Sequence, residues 1–156
     1  MIYIILGVFV LILDIITKYW AETVLKGTSG IALIDRVFHF TYVENPGVAF
    51  GLLPNMRAVF ITLSVLIIAV LLVYYIRTNE KSTWLKLGTS LILCGSAGNL
   101  IERIFKGYVV DFLDFRLVNF PVFNIADIAV CTGAAALVIH FLLLDGGKDG
   151  AGEKNR

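Results

Sequence analysis

Charge is scarce in this chain. Only 16% of its 156 residues are charged and 58% are hydrophobic, whereas soluble chains carry about 25% charged and roughly 45–50% apolar residues. A mean hydropathy of +0.87 excludes an ordinary soluble domain and makes the membrane the solvent to reason with. The net charge of +1 gives nucleic acid nothing to bind, so that partner class is excluded too. Cysteine is equally sparse. Cys94 and Cys131 both fall within apolar segments, where a thiol behaves as a small hydrophobe and supplies neither a disulfide framework nor a metal motif. Histidine is limited to His39 and His140, and without a His, Cys or Glu cluster at ligand spacing no metal site is expected. Ser96 and Cys94 share their side of the membrane with no histidine except His39, so a hydrolase triad lacks its base.

What the chain has in quantity is spanning sequence. Apolar segments cover approximately residues 1–20, 56–76, 84–105 and 120–144, each near the ~20 helical residues that a hydrocarbon core requires. The expected fold is an all-α membrane protein, a single integral domain of four transmembrane helices. Residues 58–76 carry no charge at all. The first segment lacks a basic leader and holds Asp14 and Lys18 where a cleavage site would be sought, so it reads as a retained helix and not a signal peptide.

The long connection over residues 21–55 has its own pattern. Phe38, Phe40 and Tyr42 alternate with Val37, His39, Thr41 and Val43, a period of two that predicts a strand, and Gly27 and Gly30 bracket a turn before a shorter one at residues 31–34. A small extracytoplasmic sheet over the helix ends is expected. With four crossings both termini share one side. Arg77, Lys81 and Lys86 in one short loop and Lys148, Lys154 and Arg156 in the polar, mobile tail over residues 145–156 make that side cytoplasmic by the positive-inside bias.

Topology then gathers the polar residues. Asp14 and Lys18, Asn45, Asn99 and Arg103, Asp111, and Asn124 and Asp127 all fall at one membrane face. Ionisable groups at membrane depth cost about 2.5–3.5 kcal/mol each on insertion scales, which makes function the default reading. Each group also has a structural reading. Asp14 and Lys18, at i,i+4, can neutralise one another at a helix end. Asn99 can join helices while Gly95 and Gly98 let them approach. Arg103 can face phosphates, Asn124 can cap the fourth helix, and Asp127 can complement its positive end. Asp111 resists such an account, lying between Tyr108-Val109-Val110 and Phe112-Leu113. Asp114 reads as a solvated loop charge. Two carboxylates at a dry boundary that share a proton have their pKa values driven apart, so one takes a proton from water while the other donates. That is aspartyl peptidase chemistry. The same acids suit a small proton or cation transporter, and a passive assembly subunit is a third reading.

Five stretches, in order, resemble one family: Asp14-Ile15-Ile16-Thr17-Lys18, Asn45-Pro46-Gly47-Val48-Ala49-Phe50-Gly51, Gly98-Asn99-Leu100-Ile101-Glu102-Arg103, Val109-Val110-Asp111-Phe112 and Phe123-Asn124-Ile125-Ala126-Asp127. The chain is similar to the prolipoprotein signal peptidases, the type II signal peptidases of bacteria. Glu102 stands where that family usually has Asp. The resemblance implies an inner-membrane aspartyl endopeptidase, active at the extracytoplasmic face, that removes the signal peptide from a prolipoprotein whose lipobox cysteine carries diacylglycerol. It implies no cofactor, inhibition by globomycin and contact with membrane lipids; a monomer is the simplest state. Asp111 and Asp127 match its catalytic pair, and Asn99, Arg103, Asn124 and Ala126 match surrounding site positions. Asp14, Lys18, Asn45 and Gly47 match the remaining motif residues. Arg103 and Asn99 are expected to orient the lipid headgroup region or the peptide backbone, with the sheet around Phe38, Phe40 and Tyr42 cradling the substrate.

Overall fold

The computed structural model describes residues 1–47, 57–79, 81–118 and 120–152. Four long helices, α1 (Ile2–Val24), α2 (Arg57–Arg77), α3 (Thr83–Phe105) and α4 (Ile125–Gly152), carry a sheet of β1 (Ile31–Ile34), β2 (Phe38–Asn45) and β3 (Val109–Phe115). α1, α2 and the part of α4 over Ile125–Leu143 are long and apolar enough to cross a membrane. α3 equals α1 in length, at 23 residues each, but holds Lys86, Glu102 and Arg103 among its apolar residues. Its polarity is tolerated because it packs against all three other helices and buries Thr89, Ser90, Asn99 and Glu102 against protein instead of lipid. Two small residues permit this closeness, as expected: a Cβ on Gly95 would lie 2.7 Å from the carbonyl oxygen of Ala126, and one on Gly98 would lie 2.6 Å from Asp14 Oδ2.

The two predicted strands form, and a third accompanies them. β3 was expected to be a connection, yet it pairs antiparallel with β2, giving the order β1-β2-β3. Its run of valines and phenylalanines is strand-forming; the missed signal is that Asp111 and Asp114 interrupt the apolar pattern. Asp114 is also corrected. It is buried, not solvated, and accepts from Arg116 Nε, two residues on, at 2.7 Å and from Thr41 Oγ1 at 2.8 Å, the latter available only because β2 lies alongside. Phe38, Phe40 and Tyr42 pack against the core formed by Ala21, Leu25, Val110, Phe112 and Leu113. Trp20 of α1 meets Phe40 edge-on at 5.4 Å and Phe112 at 6.2 Å. These aromatics hold the sheet on the bundle.

The helix ends explain the remaining placements. Asn124 caps α4: its Oδ1 accepts the Asp127 amide at 2.9 Å, and Asp127 Oδ2 accepts the Asn124 amide at 3.2 Å, a reciprocal box that satisfies two donors otherwise orphaned at a helix start. α4 runs on to Gly152, past the predicted span end and into the polar stretch expected to be a mobile tail. Motif residues Val48 to Gly51, and Lys154 and Arg156, lie outside the described residues.

Candidate functional site

The five polar stretches do meet at one end of the bundle. α1 delivers Asp14 and Lys18, α3 delivers Asn99 and Arg103, and the start of α4 delivers Asn124 and Asp127. β3 delivers Asp111. The decisive local contact is a bridge between Phe123 and Leu113, whose amide and carbonyl groups exchange hydrogen bonds at 2.9 and 3.1 Å. It draws the residue that caps α4 against β3. Pairing of Val43 with Asp111 and of Asn45 with Val109 brings Asn45 in from the other side.

Three asparagines hold the two acids, and each is oriented by a group that can only donate. Lys18 Nζ donates to Asn99 Oδ1 at 2.7 Å, so the Asn99 amide must turn its Nδ2 outward, where it donates to Asp127 Oδ1 at 2.8 Å. The Asp127 amide occupies Asn124 Oδ1, leaving Nδ2 to donate to Asp111 Oδ1 at 2.6 Å. Asn45 Oδ1 accepts from the Gly47 amide at 3.0 Å, and its Nδ2 donates to Asp111 Oδ2 at 2.8 Å. Every oxygen of both carboxylates therefore receives an N–H. Among the described residues no hydrogen bond joins the two carboxylates directly; Asn124, fully buried, bonds to both.

Asp14 and Lys18 are not a headgroup pair. They are 1% and 3% exposed and form an ion pair of 2.8 Å, and Asp14 Oδ1 accepts the amide of Ala126 at 2.9 Å. Lys18 thus donates to Asn99 and is ion-paired with Asp14 and, at 3.3 Å, with Glu102. Gly47, at a φ of +105° that favours glycine, sits where a Cβ would strike the Phe60 ring at 2.5 Å. Arg103 lies over that same ring, 5.5 Å from its centroid, and its buried Nε has no hydrogen-bond partner among the described residues. Arg57, at the start of α2, is a supporting residue that no motif singled out. It caps α3, donating from Nε to the Arg103 carbonyl and from Nη2 to that of Ile104, both at 2.8 Å.

Asp111 and Asp127 both border a cavity of about 730 Å³ with Asn45, Gly47, Asn99 and Arg103. Phe60, Ile67 and Phe123 give it apolar walls. An apolar groove walled by Leu66, Val70 and Ile92 continues from it along α2 and α3, with Ile67, Ser96 and Val130 common to both. Burial of Asp111, 2% exposed, pushes its carboxyl up to about 6; the negative charge of Asp127 adds to the rise, while hydrogen bonds from Asn45 and Asn124 and the charge of Lys18 oppose it. A carboxyl that keeps a proton well above the usual range, beside a second carboxylate, is suited to general acid–base work on a bond that enters the cavity. No group of three His, Cys, Asp or Glu residues among the described residues is arranged to hold a metal ion.

Comparison with known proteins places this arrangement. The family model described as Signal peptidase (SPase) II matches residues 6–143. The chain belongs to the signal peptidase II family. It is 46% identical to the lipoprotein signal peptidase of Halothermothrix orenii over 140 residues, covering 90% of this chain and 94% of that one. It is 42% identical to the lipoprotein signal peptidase of Clostridioides difficile over 145 residues, covering 93% and 97%. A bacterial membrane enzyme solved by the in meso method at 2.3 Å superposes with a TM-score of 0.85 at 31% identity, over 99% of this chain and 92% of that one. Membership of the signal peptidase II family makes the activity peptide cleavage and not transport. The chain is a peptidase, and its apolar helices make it a membrane peptidase.

Proposed function

We propose that the reaction of this family, removal of the signal peptide from a prolipoprotein, is performed in this chain by an aspartyl pair, Asp111 and Asp127. The observation that carries the proposal is their shared placement: both border one cavity, and Asn124 bonds to both. Water adds to the carbonyl carbon of the scissile bond, giving its proton to the ionised member of the pair. The protonated member donates to the carbonyl oxygen. Collapse of the tetrahedral species breaks the C–N bond, and the amine leaves with a proton from the same pair. The two acids titrate as a unit, so the roles belong to the pair. The chemistry calls for no cofactor.

The substrate is a prolipoprotein whose lipobox cysteine bears diacylglycerol, cut on the amino side of that cysteine. The apolar groove along α2 and α3 takes the signal-peptide helix, and Arg103, whose buried Nε has no partner among the described residues, and Asn99 face the peptide backbone or lipid headgroup region beside the cysteine. The whole chain, 1–156, acts as one integral domain in the bacterial inner membrane, in contact with its lipids and as a monomer. All four helices cross; α3 does so shielded by the other three. Arg77, Lys81 and Lys86, at the end of the bundle away from the acids, favour a cytoplasmic placement there by the positive-inside bias, which puts both termini on that side and the pair at the extracytoplasmic face. Globomycin-type cyclic peptides compete for the same cavity.

The test is a diacylated lipobox peptide incubated with the purified protein in detergent, with products read by mass. A single cut before the modified cysteine is expected from the parent, and none from Asp111→Asn or Asp127→Asn. Parental cleavage by either folded variant removes that aspartate from the pair.

A further inference from the structure

Glu102 is a buried carboxylate that the chemistry above does not use. It lies at the end of α3. Its Oε2 accepts the amide of Val110 at 3.0 Å and lies 3.3 Å from Lys18 Nζ, while Oε1 accepts from Lys106 Nζ at 3.0 Å. Val110 immediately precedes Asp111. Asp14 stands in the same relation to the other acid, since it accepts the amide of Ala126, which immediately precedes Asp127. One ammonium, that of Lys18, lies between these two supporting carboxylates. The backbone leading into each acid is thus gripped by a buried carboxylate, and a single cation braces the two grips against each other.

We propose that Glu102 is a positioning residue for peptide cleavage, acting through the Val110 amide to hold Asp111 in register with Asp127. The inference rests on the assignment of those two aspartates as the reacting pair. The hold is one of geometry, not of charge. Val110 needs an acceptor at the place of Oε2, and a glutamine oxygen supplies one if its Nε2 turns toward Lys106. Lys106 is 33% exposed and has Glu22 Oε2 at 2.6 Å as a second partner, so it can give way. A leucine of similar volume supplies no acceptor and frees β3 beside Asp111. The remaining Lys18–Asp14 pair stays neutral, so the fold does not depend on Glu102 for charge balance.

The experiment compares Glu102→Gln, Glu102→Leu and Asp111→Asn with the parent, each purified in detergent, by kcat and KM on the diacylated lipobox peptide and by thermal melting. Misplacing a reacting group by about 1 Å costs roughly 10²-fold in rate. Glu102→Leu is therefore expected to lose at least about tenfold in kcat with KM within about twofold, and Glu102→Gln to recover kcat to within about threefold of the parent. A Glu102→Leu protein that keeps parental kcat, or changes KM alone, overturns the proposal. So does a Glu102→Gln protein as slow as the leucine variant, which would make charge the operative property. If Glu102→Leu does not survive purification, Glu102→Gln decides alone: near-parental kcat supports the geometric hold, and a loss of tenfold or more ends it. Full cleavage by Asp111→Asn sinks the pair itself; a dead Asp111→Asn beside an unaffected Glu102→Leu sinks only the role of Glu102.

Discussion

α2 and α3 lie side by side, nearly equal in length, and obey opposite rules. None of the residues of α2 is buried by the rest of the protein; its apolar surface faces lipid and the groove, and its main helix partner is α3. α3 is too polar to stand as a span on composition, yet it is the helix the others surround. In lipid a helix needs only intrahelical hydrogen bonds and an apolar surface, which α2 supplies without help. A helix carrying Asn99 and Glu102 must find partners for them, and here the partners come from α1, α4 and β3. Polarity in this molecule is concentrated where four elements can satisfy it together, and one wall of the cavity is left to a helix that has little to satisfy.

That contrast can be broken or sharpened by substitution. The largest effect is expected at the acids: Asp111→Asn and Asp127→Asn should each lower kcat on a lipobox peptide by about 10²–10⁴-fold, the usual worth of a positioned general acid or base, with melting temperature retained. Next comes the brace. Lys18→Met removes one partner of a buried ion pair, a change that costs about 3–5 kcal/mol, visible as a large drop in melting temperature in detergent. Asn124→Ala removes a helix cap and leaves donors and acceptors of both acids unpaired, for which about 1–3 kcal/mol and a loss of turnover are expected; an Asn124→Ala protein with parental turnover would show that the acids hold themselves in place.

A pH profile gives a finer test. The Asp111 carboxyl, raised to about 6, keeps its proton below that pH and loses it above, so kcat/KM should decline on the alkaline side with a midpoint near 6. The same shift makes the folded chain hold that proton more tightly than the unfolded one, so stability should decline as pH rises from about 4 through 6. A decline in both at clearly lower pH would mean that Asp111 is better hydrated than its burial implies. The smallest effect belongs to α2. Val73→Leu on its exposed face should change stability by no more than about 0.5 kcal/mol, and a cost comparable to that of Lys18→Met would erase the distinction between the two helices.

Much of this was legible residue by residue. The charge-free run read as α2 directly, because hydropathy alone decides a lipid-facing helix. The alternation around Phe38 read as a strand, and the spacing of Asn124 and Asp127 anticipated the cap at the start of α4. Glu102 was legible only as a conservative replacement, since nothing in its neighbours announces that β3 will bring the Val110 amide to it. β3 itself was hidden, because Asp111 and Asp114 interrupt its apolar run, and Asp114 reads as a loop charge until Thr41 arrives from elsewhere in the chain. Phe38, Phe40 and Tyr42 were expected to cradle a substrate, and their packing against the core of Ala21, Leu25, Val110, Phe112 and Leu113 depends on contacts between segments far apart in sequence.

The chain's composition and periodicity by themselves determined that it is a membrane protein, where most of its helices lie, and that its few polar residues gather at one end, because lipid penalises each unpaired polar group wherever it occurs. Tertiary structure decided which of those groups satisfies which. A carboxylate's partner is set by distance and direction, and the groups that meet Asp111 and Asp127 come from Asn45 on β2, Asn99 on α3 and Asn124 at the cap of α4, whose relative placement no local pattern encodes.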